Sequence, residues 1–332
     1  MFEIEKINTA VLNRVECPGT EKHYKITLPD GLLPDCLKDG KARYSVMIET
    51  FLPIAERIKK FQVYEDDVWV ITFPKCGTTW TQEMVWLLNN GLNFERAKKH
   101  SLEERFPFLE LTGALNLIGG DSVSDVENLS RPRHIKSHLP PMLLPDQVWT
   151  VKPNIIYVSR NPKDAATSFY HHYRNIVGYD GPKEHFFDAF LSDNLIYAPF
   201  GNHVLDYWKL RDELNVLFLT YERMKRNLRA VIDEVSLFLG KSYSKQDVDA
   251  LEEHLSVESM RANKSCNMDA LVEWARKTNY SEDRKRNDAK EFRFIRNGNV
   301  GSYREDMNEK YVEQFNDYEK KITADNDFSF NM

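Results

Sequence analysis

The segment Phe73-Pro74-Lys75-Cys76-Gly77-Thr78-Thr79-Trp80 gathers an ammonium, two threonine hydroxyls and a glycine within a few residues. An apolar run, Val68-Trp69-Val70-Ile71-Thr72, precedes it, and a helical pattern from Thr81 to Leu88 follows. The order reads as a strand, a tight turn and a helix start. The first turn of a helix presents unsatisfied N–H groups and the positive end of its dipole, so with Lys75 alongside it suits a phosphate or another multiply charged anion. The lysine precedes the glycine, so this is not the Walker pattern GxxxxGK[ST].

Other segments offer related chemistry. Arg160, in Ser159-Arg160-Asn161-Pro162-Lys163-Asp164, follows the apolar run Asn154–Ser159, and its guanidinium can hold a phosphate with two hydrogen bonds at once. Ser168 lies two turns further on. In His134-Ile135-Lys136-Ser137-His138-Leu139-Pro140, extended backbone would place His134, Lys136 and His138 on one side. An imidazole titrates near working pH, which makes His138 a candidate general base. Phe294-Ile295-Arg296-Asn297-Gly298-Asn299-Val300-Gly301 offers one cation and two glycines, and by itself reads as an exposed turn. A third apolar run leads into Thr220-Tyr221-Glu222 rather than a metal-binding aspartate, so nothing here calls for magnesium.

These groups need a scaffold. The runs Val68–Phe73, Asn154–Ser159 and Val216–Tyr221 suit central strands of a parallel sheet buried on both faces. Helical patterns follow each, at Thr81–Leu88, from Asn161 as N-cap with Pro162 next, and at Phe186–Leu195, Val204–Leu214 and Leu228–Leu239. The expected class is α/β, a three-layer fold with a central parallel sheet flanked by helices. In such folds ligands gather at the carboxyl ends of the strands, so the turns at Lys75 and Arg160 should face one crevice.

Composition bounds the rest. At 332 residues, with 42% apolar and 29% charged residues, the chain reads as one globular domain over 1–332, with no repeat or linker. A net charge of −6 argues against a nucleic-acid binder. Cys17, Cys36, Cys76 and Cys266 are far apart and show no zinc spacing. With no apolar run near the ~20 residues of a membrane span, and an acidic start, the expected location is the cytoplasm. The charged stretch Glu282–Arg293 reads as a solvated loop.

In this order and spacing the segments resemble the cytosolic sulfotransferases, and Thr81–Leu87 with Leu92–Glu95 is similar to insect members, including the retinol dehydratase type. Phe73–Trp80 is similar to that family's YPKSGTTW loop, Lys136–Pro140 to KTHLP, Phe106–Leu111 to PFLEF and Arg296–Gly301 to RKGxxG. The resemblance implies 3′-phosphoadenosine 5′-phosphosulfate (PAPS) as donor, PAP as product, no metal, and a small apolar alcohol or phenol as acceptor. It implies that Lys75, Cys76, Gly77, Thr78 and Thr79 hold the 5′-phosphate and that Trp80 and Tyr221 line the adenine. Arg160, Ser168, Arg296 and Gly298 would hold the 3′-phosphate, with Asn297, Ser256 and Met260 also at the nucleotide. His138 would take the acceptor proton, and Lys75 and Lys136 would stabilise charge on the transferring group. Phe108, Leu111, Lys136, His138 and His172 would form the acceptor side.

The chain also departs from the family pattern. Cys76 replaces a serine, Asn297 replaces a lysine, which removes a cation from the 3′-phosphate side, and Ser302-Tyr303 replaces Asp-Trp. The dimerisation motif KxxxTVxxxE is poorly kept at Arg304–Glu309, so the expectation is a monomer or a weak homodimer. Rival readings are a nucleotide kinase, a non-catalytic binder of nucleotide and lipophile, and a dehydratase working through a transient sulfate ester.

Overall fold

The computed structural model describes residues 2–15, 17, 22–115, 119–279 and 292–330. All of the charged stretch Glu282–Arg293 except its last two residues lies outside the described residues.

Strands β1 (Glu3–Lys6), β2 (His23–Leu28) and β3 (Arg43–Ile48) form an antiparallel sheet with β2 in the middle. Sequence reading did not foresee it. Only alternate residues such as Ile26 and Leu28 point inward, and charged residues interrupt the runs.

Strands β4 (Val68–Thr72), β5 (His134–Ser137), β6 (Asn154–Ser159) and β7 (Val216–Thr220) form the expected parallel sheet, ordered β5-β4-β6-β7. Side chains alternate between its two faces. Trp69, Ile71, Ile155 and Tyr157 enter one core, and Val68, Val70, Ile156 and Val158 enter the other. Burial on both faces explains why β4 and β6 are apolar at most positions, whereas the edge strand β5 carries His134, Lys136 and Ser137. Each buried apolar side chain contributes about 1.5–3 kcal/mol on leaving water.

Helices that bear on the site are α1 (Thr78–Asn89), α2 (Pro162–His172), α3 (Lys183–Leu191), α4 (Phe200–Lys209), α5 (Leu228–Phe238), α6 (Val257–Ala262) and α7 (Glu309–Thr323). Helix α1 begins earlier than its apolar pattern, because Gly77 at φ +104° turns the chain and Thr78 is already helical. Asn161 caps α2 as expected, its side chain accepting the Lys163 N–H. Helix α3 stops at Leu191, short of the expected Leu195, and the backbone turns left-handed at Asp193. Helix α4 starts at Phe200 and ends at Lys209, four residues before the expected start and five before the expected end. Among the described residues no helix is long and apolar enough to cross a membrane.

The order β5-β4-β6-β7 reverses direction between β4 and β6. A crevice opens where the connections leaving two neighbouring strands diverge, so it forms beyond the ends of those two strands. The turns at Lys75 and at Arg160 flank it.

Candidate active site

The turn after β4 is held in an unusual backbone conformation. Lys75 has φ +69° and Gly77 φ +104°. A Cβ at Gly77 would lie 2.9 Å from Cδ2 of Tyr221, so this approach needs glycine both for its dihedral and for its space. The Lys75 carbonyl accepts from Arg160 Nη1 at 3.0 Å, and its Nζ lies 3.6 Å above the Phe294 ring. Thr78 Oγ1 is 2.7 Å from Thr72 Oγ1. Trp80 donates from Nε1 to the Leu255 carbonyl at 2.9 Å and meets Tyr221 edge-on at 5.7 Å.

The Arg160 guanidinium lies 4.2 Å from the centre of the Tyr221 ring. Its Nη2 reaches the Asn299 carbonyl at 3.3 Å, while its Nε is buried with no partner among the described residues. Tyr221 Oη donates to the Gly298 carbonyl at 2.9 Å. That bond brings the segment at residues 296–301 over the crevice. A second tie comes from Asp164, in the first turn of α2, which accepts the N–H groups of Gly301 at 2.6 Å and Tyr303 at 3.1 Å. Arg296 donates to Ser302 Oγ at 3.1 Å and lies 3.5 Å from Asp306.

One cavity of about 590 Å³ collects nearly every residue singled out from sequence. Lys75, Gly77, Thr78, Thr79, Trp80, Arg160, Ser168, Tyr221, Met260, Arg296, Asn297 and Gly298 line it together with Phe108, Leu111, Lys136, His138 and His172. Further wall comes from apolar residues such as Leu115, Phe169, Ile196 and Ile295. Two of the proposed residues stand back. Cys76 is fully buried, with its N–H turned to the Phe73 carbonyl at 3.3 Å and its sulfur near the Pro74 carbonyl. Ser256 spends its hydroxyl capping α6, accepting the Ser259 N–H at 3.1 Å.

The cavity has an excess of buried cations on one side. Burial, and then repulsion by Lys136, Arg160 and Arg296, push the Lys75 ammonium down to about 7. Such a group regains its charge when an anion arrives. The unpartnered Nε of Arg160 and the backbone cradle at Gly77 fit the same kind of ligand. Among the described residues no cluster of His, Cys, Asp and Glu suggests a metal.

His138 sits just past the end of β5. Its Nδ1 is 2.8 Å from the Thr72 carbonyl, so Nδ1 carries the proton and donates, leaving Nε2 with a lone pair. Burial and the neighbouring Lys136 hold its pKa well below 6.5, which keeps the ring neutral. Phe108 and Tyr197 meet the ring edge-on at 5.1 and 5.6 Å. The buried Glu110 accepts the His138 N–H at 2.6 Å and the Ser137 hydroxyl at 2.9 Å. Burial raises that carboxyl to about 7. Lys136 lies 4.4 Å above the Phe108 ring, and burial lowers its pKa. His172, stacked on Phe169 and edge-on to Phe294, is likewise held neutral by burial and by Lys75 and Lys136. His134 points elsewhere, to the Asn89 side chain at 3.0 Å.

Thr72, Glu110, Tyr197 and Phe294 shape the site but were not among its sequence candidates. Glu110 left a readable signal: a lone acid in the apolar stretch Phe106–Leu111 implies a buried partner. Tyr197 left none, since its place beside His138 depends on a connection between two helices.

Comparison with known proteins places the chain among similar ones. A family profile described as a sulfotransferase domain matches residues 65–327. Luciferin sulfotransferase of Photinus pyralis is 36% identical over 293 residues, covering 84% of this chain and 77% of its own. Sulfotransferase 1B1 of Mus musculus is 34% identical over 284 residues, covering 84% of this chain and 90% of its own. The solved structure of retinol dehydratase in complex with androsterone and inactive cofactor PAP aligns with a TM-score of 0.83 and 25% identity, over 100% of this chain and 99% of that one.

Proposed function

The chain belongs to the sulfotransferase family and is a sulfotransferase, and we propose that it moves the sulfuryl group of PAPS to a small apolar alcohol or phenol, with His138 as general base. The observation that carries this reading is the shared cavity: a buried cation cluster and an imidazole with Nε2 available open into the same space. We read residues 1–332 as one catalytic domain.

The donor, when bound, would supply a sulfuryl group joined to the 5′-phosphate as a mixed anhydride, with that phosphate as the leaving group. Lys75 and the N–H groups of Thr78 and Thr79 would hold the 5′-phosphate end. Arg160, Ser168, Arg296 and Gly298 would hold the 3′-phosphate, and Trp80 with Tyr221 the adenine. Asn297 adds no cation there. His138 Nε2 takes the hydroxyl proton as the acceptor oxygen forms its bond to sulfur, and Thr72 stabilises the imidazolium through Nδ1–H. Lys136 and Lys75 offset negative charge on the sulfuryl and leaving oxygens. The apolar wall favours an acceptor without charge, and the neighbouring structure holds androsterone.

The test is turnover of radiolabelled PAPS against a panel of phenols, steroid alcohols and retinol. Sulfated product is expected, and His138→Ala should lower the rate by ~100-fold or more with PAP affinity little changed. Tight PAP binding without product from any acceptor would favour a non-catalytic binder. A product that has lost the mass of water would instead point to the dehydratase reading, which the likeness to the retinol enzyme motivates.

A further inference from the structure

Helix α1 carries Thr78, Thr79 and Trp80 at its start and, one turn on, a carboxylate that the site does not explain. Glu83 is completely buried, and both of its oxygens are committed. Oε2 accepts from Arg105 Nη2 at 2.6 Å, and Oε1 is 2.8 Å from Nε2 of His254. The Arg105 side chain is only 3% exposed, donates from Nε to the His100 carbonyl at 3.0 Å and lies 4.7 Å from the Trp86 ring.

The positions of these partners give the triad its meaning. Arg105 directly precedes Phe106, whose carbonyl accepts from Gln82 Nε2 at 3.1 Å, and the same short segment runs on to Phe108 against His138. His254 directly precedes Leu255, whose carbonyl accepts from Trp80 Nε1 at 2.9 Å and which leads to Met260 on the cavity wall. One carboxylate therefore clamps the helix beneath the anion-binding turn to the segment leading to the apolar wall and to the segment beside Trp80. A buried ion pair adds little net stability over apolar residues of similar volume, while loss of one partner strands a buried charge. What the triad does supply is fixed geometry between three segments.

We propose that Glu83 is a positioning residue that makes binding at the nucleotide side and binding at the acceptor side cooperative. A ligand seated against Thr78–Trp80 would fix the start of α1, and through Glu83 it would hold Phe106–Phe108 in place for the acceptor. The idea rests on the functional reading above.

The test is calorimetric titration of 2-naphthol into the full chain with and without saturating PAP. In the wild type PAP should tighten 2-naphthol by about fivefold or more, the lower end of ordinary coupling between sites. Glu83→Ala should bring that ratio close to one. Glu83→Gln, which can still accept from Arg105, should restore most of it, and a general loss of structure would not be rescued in this way. His254 is nearer the surface, and His254→Ala serves as the variant least exposed to folding failure. It should reduce the coupling by severing one arm. A wild-type ratio of one, or an undiminished ratio in both Glu83→Ala and His254→Ala, overturns the proposal alone. A wild-type chain that binds no PAP overturns the functional reading together with it.

Discussion

An ammonium with its pKa at about 7 is only half charged at neutral pH, and Lys75 is in that state because burial and three cationic neighbours disfavour its proton. The negative charge of a phosphate ligand would offset both effects, so the pKa should rise on binding. Above pH 7 the empty site has lost the proton that the filled site keeps. Binding then takes up a proton, and affinity falls as pH rises, by at most about tenfold per unit. Titrating PAP at pH 8 in buffers of differing ionisation heat should reveal this uptake. Heats that do not depend on the buffer would remove Lys75 from the phosphate contact. His138 shows the opposite logic. Its depressed pKa keeps Nε2 unprotonated, as a base requires.

At the level of elements, the β4–α1 connection does more than join a strand to a helix. It places the first N–H groups of α1 at the crevice and turns the Lys75 carbonyl toward Arg160. Gly77 permits this through its positive φ and the close approach of Tyr221. In Gly77→Ala, left-handed backbone costs of order 1–3 kcal/mol, and the Cβ also presses on the Tyr221 ring. PAP affinity should drop by roughly tenfold or more, since about 1.4 kcal/mol is a tenfold change. Isothermal titration together with a melting curve distinguishes loss of the cradle from loss of the fold. Unchanged affinity would mean that the turn does not hold the phosphate. The C-terminal segment at residues 296–301 reaches the same crevice through Tyr221 and Asp164, elements distant in sequence.

Over the whole molecule, PAP held as proposed would bridge segments from Lys75 to Gly298, so its binding should stabilise the fold against heat. At a hundred times its dissociation constant a ligand contributes about 2.7 kcal/mol. For a chain of this size that corresponds to a rise in Tm of roughly 4 °C. Differential scanning fluorimetry with PAP, and with adenosine as control, checks it. An equal rise with adenosine would show that the phosphates are not gripped.

Local sequence was enough for the strands Val68–Thr72, Asn154–Ser159 and Val216–Thr220, because they are largely buried on both faces and carry continuous apolar runs. It was enough for the Asn161 cap and for the strand–turn–helix connection at Lys75–Thr78, whose signals lie in adjacent residues. It was silent about the sheet β1-β2-β3, where short strands with one inward face leave a faint pattern. Helix ends were misjudged where the stop is set by turns, as at Asp193. The meeting of Lys75, Arg160, Arg296 and His138 was decided by strand order and by long-range bonds such as Tyr221 to Gly298. Nor could sequence reveal that Glu83, Arg105 and His254 share one buried contact. Short-range periodicity reports which face of an element is buried, whereas convergence depends on how the elements are stacked.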